Sequence, residues 1–326
     1  MKYCFLVVIA LCFSGCSNDV EPAFDDTVHL AGYVGQADLN MVASYWKDGI
    51  YTKLPKDSLS SGVNSLYVDG SSVLIGGWKF GLGSPSQTLY WRDGTETAIT
   101  GSPGSTTLVA SRNNNLFGVW RGVDFATHWV FHKDGTSQPI VDTALNIGPT
   151  GLALLGNDMY ISGSSIGVDQ NQHAQCWKNG QLIFRESEIS NAMSVFVHQN
   201  DIYMAGYLYG PDFPNGMACY WKNGRRVDLT DGSVMATAWS MFVTDEHAYV
   251  SGVINQQASY WKDGEATILA NEATYSNALC ISVQGTDVHV GGYEDWHPAY
   301  WKNDVKQTIE NADKFGQIKC IVVGSN

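Results

Sequence analysis

SYWKDG stands at residues 44–49 and returns unchanged at 259–264. Near-copies lie between them: LYWRDG at 89–94, QCWKNG at 175–180 and CYWKNG at 219–224. Marking each copy by its tryptophan gives Trp46, Trp91, Trp177, Trp221, Trp261 and Trp301, and VFHKDG adds a degenerate copy with His132 in the tryptophan place. The spacings are then 45, 41, 45, 44, 40 and 40 residues. In-phase copies at such a period mark a repeat architecture, because a single unit cannot bury its faces without its neighbours.

Each unit holds four short apolar runs. In the second these are NSLYVDG (64–70), SSVLIGGW (71–78), TLYWRDG (88–94) and TETAIT (95–100), with tight turn signals between the first pair and the last. Four strands per unit at this period describe a β-propeller blade. The ends add a second argument. Residues 25–34 (DDTVHLAGYV) match the second strand of a unit, and residues 316–326 (GQIKCIVVGSN) match only a first strand. Together they make one blade, a closure that leaves no free sheet edge. The sequence therefore predicts an all-β, closed seven-bladed propeller of four-stranded antiparallel blades over residues 25–326, its first blade completed by the C-terminal strand.

Within that fold the repeated phrase is structural. Neighbouring strand residues point to opposite faces, so Tyr45 and Trp46 are expected to pack into different inter-blade layers. Asp48-Gly49 supplies the positive φ angles of a two-residue hairpin turn. On the innermost strands, Ser65, Gly151, Ser194, Ser240, Cys280 and Cys320 share one position, with Leu108 as the exception. Small residues there suit a crowded hub.

The N-terminus carries a different signal. Residues 1–15 combine Lys2, the run CFLVVIALCF and a small-residue pair before Cys16, too short an apolar stretch for a permanent span. The arrangement resembles a bacterial lipobox, with Phe13 in place of the usual leucine, and implies cleavage after 15 and lipidation of Cys16. Ser17 in the next position favours the outer membrane, and residues 16–24 read as a lipidated tether. No later stretch is apolar enough to span a bilayer, so membrane contact is expected through the lipid anchor only. The chain is acidic, with net charge −13 and no basic cluster, which speaks against nucleic acid as a partner. Aromatics at 12% and charged residues at 16% exclude a disordered chain. Cys176, Cys219, Cys280 and Cys320 are far apart and, like the scattered histidines, show no metal-ligand spacing. No metal or cofactor is expected.

Propeller geometry sends the variable loops 79–87, 167–175, 208–216 and 294–298 to one face, where binding is expected. The second strands end on that face in a small-Gly-X pattern. Tyr33, Trp78, Trp120, Tyr207 and Tyr293 are read at X, with Tyr209 and Trp296 close by. These seven aromatics are the candidate ligand-binding residues, suited to stacking on sugar rings or anchoring a protein. A glycosidase needs two carboxylates flanking one bond. Asp124, Asp169, Asp212, Glu294 and Asp295 fall in these loops, with His297 beside them, but no nucleophile motif or phosphate-binding glycine loop accompanies them.

The cycle SLYVDGSSVLIGGW…TLYWRDGTETAI resembles the HAF-type extracellular repeat and uncharacterised bacterial propeller lipoproteins carrying YWK(D/N)G repeats. That resemblance covers nearly all of 25–326 and implies the fold, not a chemistry. The expected function is a lipid-anchored envelope propeller, in the outer membrane, that binds a glycan or protein through its loop face without catalysis. Two alternatives stand beside it: a glycoside hydrolase or polysaccharide lyase in the channel mouth, and an outer-membrane assembly scaffold, similar to the propeller lipoprotein of the outer-membrane insertion machinery.

Overall fold

The computed structural model describes residues 26–35, 40–54, 59–81, 86–103, 107–121, 129–141, 145–270, 273 and 275–324; the leader, Cys16 and Asp124 lie outside them. The strands form seven four-stranded antiparallel sheets. Blade 1 takes Gly316–Gly324 as its innermost strand, followed outward by Thr27–Gly35, Met41–Lys47 and Ile50–Lys53. Blades 2 to 7 run in chain order from inside out. Each blade packs on the next and blade 7 packs on blade 1, so the predicted seven-bladed ring is the fold.

One phrase tryptophan sits in each of six inter-blade clusters, and none of the six is more than 1% exposed. The neighbouring tyrosines turn the other way. Trp221 packs with Cys176 and Met204 toward blade 4, while Tyr220 lies against Ala238 and Trp261 toward blade 6. Trp301 and Tyr300 divide in the same manner between the layers of blades 6 and 1.

The Asp or Asn of the phrase clamps the hairpin. Asp48 adopts φ 51° and Asn223 also 51°. The Asn223 N–H donates to the Ile202 carbonyl at 2.8 Å, and its Oδ1 accepts from the Ile202 N–H at 2.9 Å. Asp48 makes the same two bonds with Val28, at 2.9 and 2.8 Å. The choice between the two residues follows the start of the second strand. Where that strand opens on Asp158, Asp201 or Asp287, the phrase carries Asn179, Asn223 or Asn303, whose Nδ2 donates to the aspartate at 2.8 Å in all three blades. Where it opens on Ser72 or directly follows His247, the phrase carries Asp93 or Asp263, which takes a hydrogen bond from the serine at 3.0 Å and pairs with the histidine at 2.6 Å. The Lys of the phrase completes the aspartate blades, with Lys178–Asp158 at 2.8 Å, Lys222–Asp201 at 2.9 Å and Lys302–Asp287 at 2.8 Å.

Asn223→Asp sets two carboxylates against each other. Hydrogen bonds from Lys222 and Asn223 hold Asp201 below the usual carboxylate range, and the substitution removes one donor. A proton shared by the pair would restore it, so the new carboxyl has its folded pKa raised above its unfolded value. Its contribution is present at acid pH and lost as pH rises through that folded pKa. The expected result is a melting temperature below wild type at pH 7, with the gap closing at pH 3–4. A pH-independent gap would contradict the clamp.

The innermost strands carry a device that alternation does not reveal. In blades 1, 2, 4, 5, 6 and 7 the pairing of first and second strands shifts by one residue, leaving Lys319, Asn64, Thr150, Met193, Trp239 and Leu279 bulged. The bulge presses the preceding carbonyl against the glycine of the small-Gly-X pattern. A Cβ on Gly206 would lie 2.0 Å from the Asn191 carbonyl oxygen, and one on Gly292 1.8 Å from that of Asn277. Only glycine fits such an approach.

Blade 3 has no such shift between its innermost strand Thr107–Arg112 and its second strand Asn115–Arg121. Trp120, expected at X, does not stand there. His132, in the tryptophan place, pairs with Gly118, which puts Trp120 at the glycine position and Arg121 at X. Without a bulge the glycine is not needed. Trp120 is 7% exposed and stacks on His132 at 5.2 Å, filling part of the space a phrase tryptophan takes elsewhere.

Candidate functional site

The second strands deliver Tyr33, Trp78, Tyr207 and Tyr293 to the end of each blade that bears the variable loops. Their cross-strand partners on the innermost strands are Gln317, Gly62, Asn191 and Asn277. These residues do not form one even ring. Trp78 lies over Gly62, its Nε1 2.7 Å from where a Cβ would stand. Tyr207 gathers with Tyr209 at 5.8 Å and Trp239 at 6.4 Å, and accepts a hydrogen bond from Asn191 Nδ2 at 3.1 Å. Tyr209 donates to Gln172 at 3.0 Å.

The larger group spans blades 7 and 1. Tyr293 and Trp296 stack at 5.3 Å with their planes 7° apart. Tyr275 leans on both, at 5.7 and 5.2 Å, and Phe315 stacks on the indole at 6.2 Å and reaches Tyr33 at 6.4 Å. Tyr293 is buried, but Trp296 and Phe315 each keep 50% of their surface exposed. Burial pushes the Tyr33 and Tyr293 hydroxyls up, Tyr275 adding to the effect on Tyr293, so both remain neutral donors at physiological pH. Tyr275 and Phe315 come from blade-to-blade connectors, which carry no repeat signature, and the sequence pattern does not single them out.

Trp296 is held in a position its side chain does not favour. It follows Asp295 in a turn whose φ angles are 45° and 66°, a left-handed pair uncommon for a bulky residue. Blade 6 builds the same turn from Asn255 and Gln256, at 49° and 67°. In both, the first residue's N–H donates to the preceding connector, Asn255 to Met235 at 2.8 Å and Asp295 to Tyr275 at 2.7 Å. The second residue's carbonyl accepts from the next blade, Gln256 from Ser276 and Trp296 from Gly316, each at 2.8 Å. The turn therefore does not require tryptophan. Its ring is an addition to a linkage that glutamine makes equally well.

Three of the acidic loop residues, Asp169, Glu294 and Asp295, have structural partners. Asp169 accepts from Asn171 Nδ2 at 2.9 Å and pairs with His173 at 3.0 Å, contacts that draw its carboxyl down to about 2. Glu294 pairs with Lys306, and Asp295 accepts from the Tyr275 N–H at 3.0 Å. Asp212 is exposed.

Asp26, Asp287 and His289 bring three ligand-type atoms within 4.8 Å of one another. The positive charge there is already supplied by Lys302, 2.8 Å from Asp287 and 3.8 Å from Asp26. Burial first, and then Lys302, lower His289 to about 4, so the imidazole is neutral. The group is the repeat's own Asp–Lys clamp with a histidine beneath it.

No protein-family model matches the chain, and no curated protein matches it. Among solved structures, the β-propeller domain of the Trilobed protease from Pyrococcus furiosus aligns at 12% identity and TM-score 0.51, over 76% of this chain and 82% of that one. A prolyl endopeptidase aligns at 10% identity and TM-score 0.52, over 93% of this chain and 51% of that one. Pyrococcus horikoshii acylaminoacyl peptidase gives 14% identity and TM-score 0.50, over 76% of this chain. This chain spans 46% of that peptidase's length. At such identities the likeness concerns the fold. It defines a β-propeller.

Proposed function

We propose that the chain is a non-catalytic binding propeller of the cell envelope that takes a glycan on the Tyr33–Tyr275–Tyr293–Trp296–Phe315 platform and is held to the membrane by lipid on Cys16. The observation that carries the reading is Trp296, a half-exposed indole stacked on a buried tyrosine, in a left-handed turn that Gln256 forms without it. A flat, rigid aromatic face costs little ordering entropy and matches the apolar face of a sugar ring. The engagement of Asp169, Glu294 and Asp295 by structural partners favours binding over hydrolysis.

A glycan array probed with the full chain tests the reading, and an empty array would count against it. The anchor has its own test. One thiol would carry every acyl chain, so Cys16→Ser should move the protein from the membrane fraction to the soluble fraction and abolish metabolic fatty-acid labelling. Unchanged fractionation would remove the anchor from the account.

A further inference from the structure

The bulges of the innermost strands give the hub six extra residues, Asn64, Thr150, Met193, Trp239, Leu279 and Lys319. At Lys319 the flanking side chains are committed to opposite layers. Ile318 packs with Trp46 and Tyr300 between blades 7 and 1, and Cys320 packs with Val63 and Trp91 between blades 1 and 2. The bulged residue between them has the remaining direction, off the free edge of the innermost strand toward the axis. Lys319 is the one charged member of the six, and it is partly buried.

Among the described residues no carboxylate pairs with its ammonium. Lys178, Lys222 and Lys302 of the phrase are ion-paired, as are Lys79 and Lys306 elsewhere, and Lys47, Lys53, Lys262 and Lys314, which form no ion pair among the described residues, are exposed; Lys319 is partly buried, and among the described residues no hydrogen bond or salt bridge reaches it. This occurs in a chain with 32 acidic residues against 19 basic ones, where a partner would be easy to supply. Desolvation lowers its amine, with only Cys320 acting the other way, a sign that counter-charge is missing. On the innermost strands of other blades, Asn277 Oδ1, Ser194 Oγ and Trp239 Nε1 are likewise buried without hydrogen-bond partners among the described residues. Buried groups of this kind call for a ligand or ordered water.

The platform's connector residue Phe315 leads directly into the strand that carries this lysine. Phe315 stacks under Trp296, Gly316 binds the Trp296 carbonyl, Gln317 faces Tyr33, and Lys319 follows. Four residues of strand span ~13 Å, a distance that one short oligosaccharide and a lysine side chain bridge together. We infer that the glycan is acidic, and that a uronic-acid carboxylate descends into the channel mouth to meet the Lys319 ammonium while a neighbouring ring stacks on Trp296. The inference rests on the platform reading for its sugar and on the hub geometry for its charge. An ammonium–carboxylate contact at a half-dry site is stronger than the same contact in water.

The test measures affinity of the full chain for an oligogalacturonate and for its carboxyl-reduced counterpart of the same length and linkage. Wild type should prefer the acidic oligomer at least tenfold, against the repulsion expected from its own net charge. Lys319→Met should abolish that preference, Lys319→Arg should retain it, and thermal melts should show both variants folded. Trp296→Gln should weaken both oligomers by a similar factor. A wild type without preference, a preference that survives Lys319→Met, or failure to bind either oligomer overturns the inference. If Trp296→Gln leaves both affinities unchanged while Lys319→Met still abolishes the preference, the platform reading falls and the channel site stands.

Discussion

A chain that stops at Phe315 loses its cooperative thermal transition and aggregates. The truncation removes Gly316–Gly324, the innermost strand of blade 1. Ile318 and Ile321 leave the layer shared with blade 7, and Cys320 leaves the layer shared with blade 2. The backbone of Thr27–Gly35 becomes an open edge, from Thr27 opposite Gly324 to Val34 opposite Gly316. An unpaired edge next to two opened apolar layers is a template for intermolecular pairing. A synthetic peptide covering 316–326 should restore the transition in trans by strand addition. A truncated chain that melts like the full one would show that blade 1 does not need its last strand.

Trp221→Ala should cost ~3–5 kcal/mol, the range for deleting a large buried aromatic. The indole is fully buried, lies 6.4 Å from Phe184, and donates from Nε1 to Glu186 at 2.6 Å. The substitution opens a cavity between blades 4 and 5 and removes the donor to Glu186 Oε2, while Oε1 keeps its bonds from Ser187 and Glu188, so the upper part of the range is expected. Trp78→Ala is the matched comparison. Its ring covers Gly62 at the loop-bearing end and is only partly buried, so it should cost much less. Denaturant midpoints for the two variants check this directly. Equal losses would mean that Trp78 is core and that binding must be sought elsewhere.

The repeat phrase made the fold legible because its constraint is strong. A tryptophan with a tyrosine beside it must serve two layers, and Trp221 and Tyr220 do so. Closure was readable because the two chain ends are complementary parts of one unit. The D/N alternation was visible but not its cause, which lies in whether an aspartate such as Asp201 opens the neighbouring strand.

The site was legible only in part, for physical reasons. A bulge breaks strict alternation, and it is coupled to a glycine on the facing strand. Blade 3 lacks both, so the GVW pattern places Trp120 one residue too far toward the mouth, whereas its ring is buried on His132. The same bulge hid Lys319, which in simple alternation would belong to an inter-blade layer. Tyr275 and Phe315 stand in connectors that differ from blade to blade, and only the folded ring brings them to Trp296.

The most direct measurement compares wild type and Trp296→Gln for affinity toward the tightest member of the glycan array, with melting temperatures recorded alongside. Glutamine occupies the same left-handed turn in blade 6, so the fold should melt within a few degrees of wild type. Affinity should fall at least tenfold, ~1.4 kcal/mol. An unchanged affinity in a protein with an unchanged melting temperature would contradict the account, because the indole would then be neither structural nor part of the binding surface.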